Sequence, residues 1–278
     1  MSRPRTQVAM DVRKTYKMYV GGEFIRSESG RAYRPEGEIN VPRGSRKDLR
    51  DAIKAARGAF GGWSGRTAMN RGQVLYRAAE MLDGRRAQFV ALLGGGRGAR
   101  REVDQAIETW VYYAGWTDKL SQVSGTVNAI AGPYFNFTIP EPTGVVGVVA
   151  PEAPQLLGLV QRLAPVLCGG NTVVALASET RPLAALTLGE VLETSDLPAG
   201  VVNILSGQRG ELLPWLAAHM DVNAVDAAGC GPEELVQVEK AAAGNLKRVV
   251  RTPPRDQSSP LAVTAFMEMK TVWHPIGV

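Results

Sequence analysis

The sequence predicts an α/β protein built on a doubly wound parallel sheet, with N-terminal helices and a small β-arm. The sheet is predicted because, from residue 144 onward, short apolar runs rich in β-branched residues alternate with windows of helical periodicity. Runs without polar alternation suit strands that are buried on both faces, and the helices between them suit right-handed crossovers. Three apolar stripes at helical spacing in the first half of the chain predict the N-terminal helices.

Composition limits the classes of protein that the chain can belong to. It has 278 residues, of which 45% are hydrophobic, so it can bury a core as one large or two modest domains. Its 32 basic and 27 acidic residues give a net charge of +5, which permits an anionic partner without requiring one. These numbers, with only two cysteines, exclude a disordered chain and a disulfide-stapled miniprotein.

The first element is a basic segment at residues 1–17. Its basic residues are Arg3, Arg5, Arg13, Lys14 and Lys17. They stand among polar residues without the apolar stretch of a signal peptide, so we predict a flexible arm and a cytoplasmic protein. The most apolar stretch, residues 145–167, contains Glu152 and Arg162 and is not expected to cross a membrane.

Three apolar stripes follow. Ser45 is predicted to cap a helix with Leu49, Ile53, Ala56 and Phe60 on its buried face. The second and third stripes consist of Val74, Leu75, Ala78, Met81, Leu82 and Phe89, and of Val103, Ile107, Trp110, Val111 and Ala114. The glycines at 94–96 separate these two stripes.

The strands of the sheet are predicted in the runs GVVGVVA, NTVVAL, VVNIL and VNAV. Pro182 at a helix start and the turn at 197–200 supply the expected breaks between strands and helices. We assign residues 18–124 and 144–252 to this domain, whose βαβ pattern is Rossmann-like.

Two segments fall outside the sheet. Residues 134–139 alternate aromatic or β-branched residues with polar ones, and the chain ends in one strand-like run after the Pro- and Ser-rich linker 253–260. An isolated strand exposes its backbone donors and acceptors, so we expect the two segments to pair with each other or with another subunit. We assign residues 125–143 and 260–278 to an oligomerisation hairpin and a C-terminal strand.

Several stretches occur in an order and spacing that is typical of one family. They are MYVGGEFIRSESG, RGQVLYRAAEML, EVDQAIETWVYYAGWTDK, PYFNFTIPEPTGVVGVVAP, LAPVLCGGNTVV, DLPAGVVNILSG, HMDVNAV and AAAGNLKRV. Together they resemble the NAD(P)-dependent aldehyde dehydrogenases. The resemblance stops at residues 248–250 and resumes with EMKTVWHPIGV, which is similar to the family's C-terminal strand. It implies cofactor-binding and oligomerisation parts, with linker 253–260 in place of the domain that carries the catalytic cysteine.

The same resemblance implies that catalytic groups are lost. The family's asparagine that donates to the oxyanion falls on Ala153, with Glu152 in place of the preceding tryptophan. The family's general base falls near Thr252. We therefore assign no catalytic residue and no metal ligand.

Cofactor binding is predicted to be weak or absent, although the resemblance implies NAD. The family's lysine at the adenosine ribose falls on Leu176, and only Glu179 of that motif is retained. The family's turn near the pyrophosphate falls on residues 227–230 and keeps Gly229. Glu179, Gly207 and Gly229 are the weak candidates for cofactor contacts, while glycines are also common at turns after parallel strands.

The two cysteines are considered as replacement nucleophiles. Cys168 lies near the end of an apolar helix, where a small buried hydrophobe is the favoured interpretation. Cys230 lies near a predicted helix N-terminus, where a thiol pKa can be lowered. Neither His219 nor His274 is placed by sequence to act as its base.

The preferred hypothesis is a catalytically inactive subunit that assembles, as a homo- or hetero-oligomer, with a full-length aldehyde dehydrogenase in a structural or regulatory role. One alternative is a NAD-dependent aldehyde oxidoreductase that is active only together with a partner subunit. A further alternative, nucleic-acid binding, rests on the basic arm, but basic residues elsewhere are scattered among acidic ones. Neither nucleic acid nor a membrane is the expected partner.

Overall fold

The computed structural model of the chain describes residues 14–37, 39–251 and 259–277. Its strands are β1 (Met18–Val20), β2 (Glu23–Ile25), β3 (Ala32–Glu36), β4 (Ile39–Pro42), β5 (Thr126–Asn128), β6 (Tyr134–Pro142), β7 (Val145–Val149), β8 (Thr172–Leu176), β9 (Val202–Leu205), β10 (Ala224–Asp226), β11 (Arg248–Val250) and β12 (Met267–Pro275). Its helices are α1 (Arg46–Ser64), α2 (Ala68–Gly84), α3 (Arg86–Leu92), α4 (Gly96–Ala114), α5 (Leu120–Ser124), α6 (Leu157–Cys168), α7 (Leu183–Glu193), α8 (Arg209–Ala218), α9 (Pro232–Ala242) and α10 (Leu261–Thr264).

Seven strands form the central sheet in the order β11-β10-β7-β8-β9-β1-β2. The five strands from β7 to β11 are parallel, which confirms the predicted fold class. The sheet is mixed rather than wholly parallel, because β1 and β2 form a hairpin that adds antiparallel to β9. Gly21 and Gly22 turn this hairpin with positive φ angles of 64° and 83°, which non-glycine residues rarely adopt.

Hydrophobic side chains cover both faces of the sheet. Alternate residues of β7 point to opposite faces, so that Val146 and Val148 join one core cluster and Val145 and Val149 the other. The first cluster includes residues of α2, α4, α6 and α7, and the second includes residues of α1, α8 and α9. This division of helices between the two faces is the doubly wound arrangement.

The N-terminal helices follow the predicted stripes with two corrections. Ser45 caps α1 in a reciprocal capping box with Asp48, and the glycines at 94–96 break the chain with positive φ angles between α3 and α4. Phe60 is only half-buried and Val111 is exposed, since each lies at the rim of its stripe. Trp63 and Trp110, by contrast, are fully buried.

Strands β5, β6 and β12 make a separate antiparallel sheet, which we call the arm sheet. The ladder between β6 and β12 runs over nine residue pairs, from Met267 opposite Pro142 to Pro275 opposite Tyr134. The expectation that these two segments pair with each other is confirmed. Because β12 lies at the end of this sheet, its outer edge has no strand beside it within the described residues.

The predicted flexible arm, residues 1–17, differs from the structure at its C-terminal end. Residues 1–13 lie outside the described residues, but the chain is already packed at residue 14, within the segment predicted as a flexible arm. Lys14 forms a 2.6 Å ion pair with Glu190 of α7, and Tyr16 is buried in the core. Of the predicted linker, residues 253–258 lie outside the described residues, and Pro260 is the N-cap of α10. No helix in the described parts of the chain is long and apolar enough to span a bilayer.

Candidate functional site

The carboxyl ends of β7, β8, β9 and β10 lie along one edge of the central sheet, because these strands are parallel. From β7 the chain moves to β8 and β9 on one side, and then crosses to β10 on the other side. The helices that follow the neighbouring strands β7 and β10 therefore lie on opposite faces and leave a crevice between them. Open α/β sheets bind ligands at such a reversal of strand order. We call this place the switch-point crevice.

Glu152 follows β7, and its carboxylate binds the loop that follows β8. It accepts hydrogen bonds from the hydroxyl groups of Ser178 and Thr180. It also accepts from the amides of Glu179 at 3.1 Å and Thr180 at 3.2 Å. Partial burial opposes ionisation, but these hydrogen bonds and the charge of Arg209 outweigh it and hold the pKa of Glu152 below its ordinary value. Glu152 is therefore a fixed negative charge beside the crevice.

Arg209 is the first residue of α8, and its guanidinium group lies in the switch-point crevice. It donates to the carbonyl oxygen of Ala150, which follows β7, and at 2.8 Å to that of Gly229, which follows β10. Its Nη2 atom lies 2.8 Å from the Glu152 carboxylate. Only 9% of its side chain is exposed. One side chain therefore joins the two walls of the crevice.

Two further carboxylates bind amides at the start of helices around the crevice. Glu179 accepts from the amide of Arg209 at 2.8 Å, at the start of α8. Glu234 accepts from the amide of Gly231 at 2.8 Å, at the start of α9, and lies 3.8 Å from the Arg209 guanidinium. Amides at helix N-termini are the donors that an anionic ligand uses. Here one amide at the start of each helix is bonded to a carboxylate of the chain itself.

The positions at which the resemblance implies the family's catalytic groups offer little chemistry. Ala153 is exposed next to Glu152, and its side chain is a methyl group that cannot donate a hydrogen bond. Thr252 lies outside the described residues. In the described parts of the chain, no three His, Cys, Asp or Glu side chains are grouped as a metal site requires.

The candidate cofactor residues are all engaged in the fold. Leu176 is 2% exposed and belongs to the core cluster that α1, α8 and α9 cover. A Cβ atom on Gly229 would lie 2.4 Å from the carbonyl oxygens of Val149 and Ala150, and one on Gly207 would lie 3.1 Å from the amide nitrogen of Gly44. Close packing of the backbone thus requires Gly229, and Gly207 is tightly packed as well, which agrees with the structural interpretation that sequence reasoning left open.

Neither cysteine has the environment of an activated nucleophile. Cys168 is fully buried at the end of α6, as predicted, and burial raises the pKa of its thiol to about 12. Cys230 lies one residue before the N-cap of α9. Burial, with the nearby Glu234 carboxylate, raises the pKa of Cys230 to about 12, although the Arg209 charge opposes this. The lowered pKa that a helix N-terminus can produce is therefore not found at Cys230.

We expect Cys230 to react with iodoacetamide at least about 100-fold more slowly than free cysteine at pH 8, because the thiolate is the reacting species. The rate should rise about tenfold with each unit of pH up to pH 10, since the raised pKa lies above this range. Alkylation of a Cys168→Ala variant, followed by mass spectrometry, isolates the Cys230 signal. A rate that is already fast and independent of pH near neutrality would show an activated thiolate.

Sequence reasoning did not single out Arg209, and it treated Glu152 as a charge within an apolar stretch and as the replacement of an aromatic residue, but not as a site residue. A signal was nevertheless present in the sequence. Both charged residues come within a few positions of the end of a buried parallel strand, and such strand ends meet at one edge of the sheet. Opposite charges at two of these ends predict an ion pair across the crevice.

Comparisons with known sequences agree on one family. The model of the aldehyde dehydrogenase family matches residues 32–252. Human retinal dehydrogenase 2 is 34% identical over 251 residues, which cover 85% of this chain and 48% of that protein. Aldehyde dehydrogenase, cytosolic 1, from Elephantulus edwardii is 32% identical over 249 residues, 84% of this chain and 49% of that protein. The chain thus spans about half the length of the curated relatives that it matches.

Solved structures give the same result. An NAD+ complex of an aldehyde dehydrogenase from Bacillus cereus superimposes with a TM-score of 0.77 at 27% identity, covering 85% of this chain and 50% of that one. Betaine aldehyde dehydrogenase from Staphylococcus aureus, in complex with NAD+, has a TM-score of 0.77 at 26% identity, covering 84% of this chain and 49% of that one.

Proposed function

The chain belongs to the aldehyde dehydrogenase family, and on that premise we propose that it is a catalytically inactive subunit that assembles with a full-length member of the family. Its role is then structural or regulatory. The arm sheet is the observation that carries this proposal, because a nine-residue ladder holds β12 on β6 while the outer edge of β12 has no partner strand in the described chain. A free edge of this length offers main-chain hydrogen bonds to a strand of another subunit.

Apolar side chains on the arm sheet support the same proposal. Trp273 is 60% exposed and contacts Tyr134 edge to face, with ring centroids 5.9 Å apart. Val127 on β5 and Met269 on β12 are exposed as well. Aromatic and methionine side chains at the surface are typical of interfaces, where burial in the partner stabilises them.

Three observations support inactivity. Between β11 and α10 the chain has ten residues, 251–260, which is far too few for a catalytic domain at this point of the fold. Ala153, whose side chain is a methyl group, stands where the resemblance to the family implies a residue that donates a hydrogen bond to the oxyanion. The raised pKa of Cys230 keeps its thiol protonated near neutral pH.

The proposal predicts that the native protein co-purifies with an aldehyde dehydrogenase subunit of about twice its length. Deleting residues 268–278 should abolish this association, because it removes most of β12. Native purification, followed by mass spectrometry of the bound subunit and determination of the complex mass, is the measurement. Isolation of the chain only as a monomer or as a complex with itself would contradict the proposal.

A matched pair of substitutions tests the arm sheet without a deletion. Trp273→Glu places a charge on the arm sheet and should weaken co-purification at least tenfold. Trp215→Glu makes the same change at an exposed tryptophan of α8, outside the arm sheet, and should leave co-purification unchanged. Equal effects of the two substitutions would mean that the arm sheet is not the interface.

The alternative, an oxidoreductase that is active only with a partner subunit, requires this chain to hold NAD. Glu179 is the residue of the ribose motif that is retained, but its carboxylate is bonded to the amide of Arg209. Titration of the chain with NAD separates the two functions, since saturable binding at micromolar concentration favours the alternative.

A further inference from the structure

We propose that Arg209 and Glu152 close the switch-point crevice from within, so that the chain supplies its own charges where the fold would bind a dinucleotide. This inference rests on the proposed function and deepens it, because it gives a physical reason why the subunit does without NAD. The residues in the crevice do not fit the cofactor, as three features of the site indicate.

The first feature is the position of the guanidinium group. Arg209 bonds the carbonyl oxygens of Ala150 and Gly229, one on each wall of the crevice. A ligand that enters between the loops after β7 and β10 has to displace this side chain. Displacement would break both hydrogen bonds and the ion pair with Glu152, and an arginine that is 9% exposed has little water to replace them.

The second feature is the use of the amide donors. Glu152 takes the amides of Glu179 and Thr180, Glu179 takes the amide of Arg209, and Glu234 takes the amide of Gly231. Amides after parallel strands and at helix starts are the groups that bind a pyrophosphate. One amide at the start of each helix and two amides in the loop after β8 already bond a carboxylate, so the chain itself provides negative charge at these donors.

The third feature is the charge balance. Arg209 is a cation of the crevice, and it lies 2.8 Å from the Glu152 carboxylate and 3.8 Å from that of Glu234. Its charge is therefore balanced by carboxylates of the chain. A dinucleotide that enters beside these carboxylates would bring two phosphate charges close to them, which is unfavourable in a half-buried site.

The experiment compares NAD+ binding by the full chain and by a Glu152→Ala, Arg209→Ala double variant. Isothermal titration calorimetry and the shift of Tm with added NAD+ are the two readouts. We expect no saturable binding by the wild type up to about 1 mM and binding at least tenfold tighter by the double variant. NAD+ should raise the Tm of the double variant and leave that of the wild type unchanged.

The matched control is an Arg43→Ala, Glu211→Ala double variant. It also removes one ion pair that involves α8 and keeps the same net charge, but neither residue forms an ion pair with Glu152, Arg209 or Glu234. It should bind NAD+ no better than the wild type. If the first double variant does not fold, as judged by circular dichroism, Glu152→Gln decides the question, because it keeps the volume and removes the charge.

Two results would overturn the inference. One is micromolar binding of NAD+ by the wild type, which would show an open crevice. The other is the absence of any gain in a folded Glu152 and Arg209 variant, which would show that the crevice is not what excludes the cofactor. Neither result depends on assembly, so co-purification with a full-length subunit can succeed or fail independently of this test.

Discussion

Replacement of Gly229 by alanine is expected to destabilise the fold by about 3 kcal/mol or more, because the added Cβ atom has no space. It would lie 2.4 Å from the carbonyl oxygens of both Val149 and Ala150, which is far closer than a carbon and an oxygen atom that are not bonded can approach. Both obstacles are backbone atoms at the end of a central strand, and the amide of Gly229 is itself bonded to the oxygen of Val149 at 3.1 Å. The clash therefore cannot be relieved by a side-chain rotation.

Gly231→Ala is the matched control. It lies two residues further along the same loop, and its Cβ atom would meet only the Glu234 carboxylate, at 3.9 Å. Its φ of −70° is accessible to alanine. We expect its free energy of unfolding to change by no more than about 0.5 kcal/mol. Urea unfolding of both variants measures the difference, and similar stability of the two would mean that Gly229 is free to accept a side chain.

This comparison also decides what the glycine is for. A glycine kept for close approach of a ligand can become alanine with a loss of binding and an intact fold. A glycine kept for packing loses stability in the absence of any ligand. The geometry favours the second outcome, and the aligned family turn by itself could not distinguish the two, because both uses select the same residue.

The central sheet was predictable because the strand sequences themselves indicate that the strands are buried. The runs that became β7, β8 and β9 are apolar at every position or nearly so, which only strands covered on both faces require. The antiparallel addition of β1 was not predicted. Met18, Tyr19 and Val20 give a run too short to show direction, and their partner β9 lies more than 180 residues away in the chain.

The candidate site was harder to predict than the fold. Comparison of motifs predicted losses at Ala153 and Leu176, since each replacement is read at a single position. It did not identify what was gained, because the bonds of Arg209 reach Ala150 and Gly229, 59 and 20 residues away in sequence. Such bonds depend on which strand ends become neighbours, and this follows from strand order rather than from local sequence.

Asn171 connects the arm sheet to the central sheet, and its replacement by alanine is expected to weaken both. The side chain is fully buried between α6 and β8. It accepts from the amide of Gly144 at 2.8 Å and donates to the carbonyl oxygens of Val166 at 3.3 Å and Phe266 at 3.0 Å. Phe266 immediately precedes β12. Loss of these bonds leaves the buried amide of Gly144 without its partner and removes one of the hydrogen bonds that each of the two carbonyl oxygens accepts, which should cost about 3 kcal/mol of unfolding free energy.

Asn203→Ala provides a control with the same chemistry in another place. Asn203 is also fully buried, accepts one amide hydrogen bond from Gly21 at 2.9 Å and donates two, to Val173 at 3.1 Å and Gly200 at 2.8 Å. Its bonds lie within the central sheet and its turns. Urea unfolding should show a similar loss of stability in both variants, since each removes three hydrogen bonds between the side-chain amide of the asparagine and the backbone.

The two variants should differ in the arm sheet. With Asn171 removed, the start of β12 is held less firmly, so hydrogen exchange of the peptide 267–275 should accelerate at least tenfold under native conditions. Co-purification with a full-length aldehyde dehydrogenase should fall with it, because a strand edge that opens is a poor template for pairing. Asn203→Ala should leave exchange in this peptide close to the wild-type rate. Equal acceleration in the two variants would mean that the arm sheet responds to global stability, and that Asn171 does not position it.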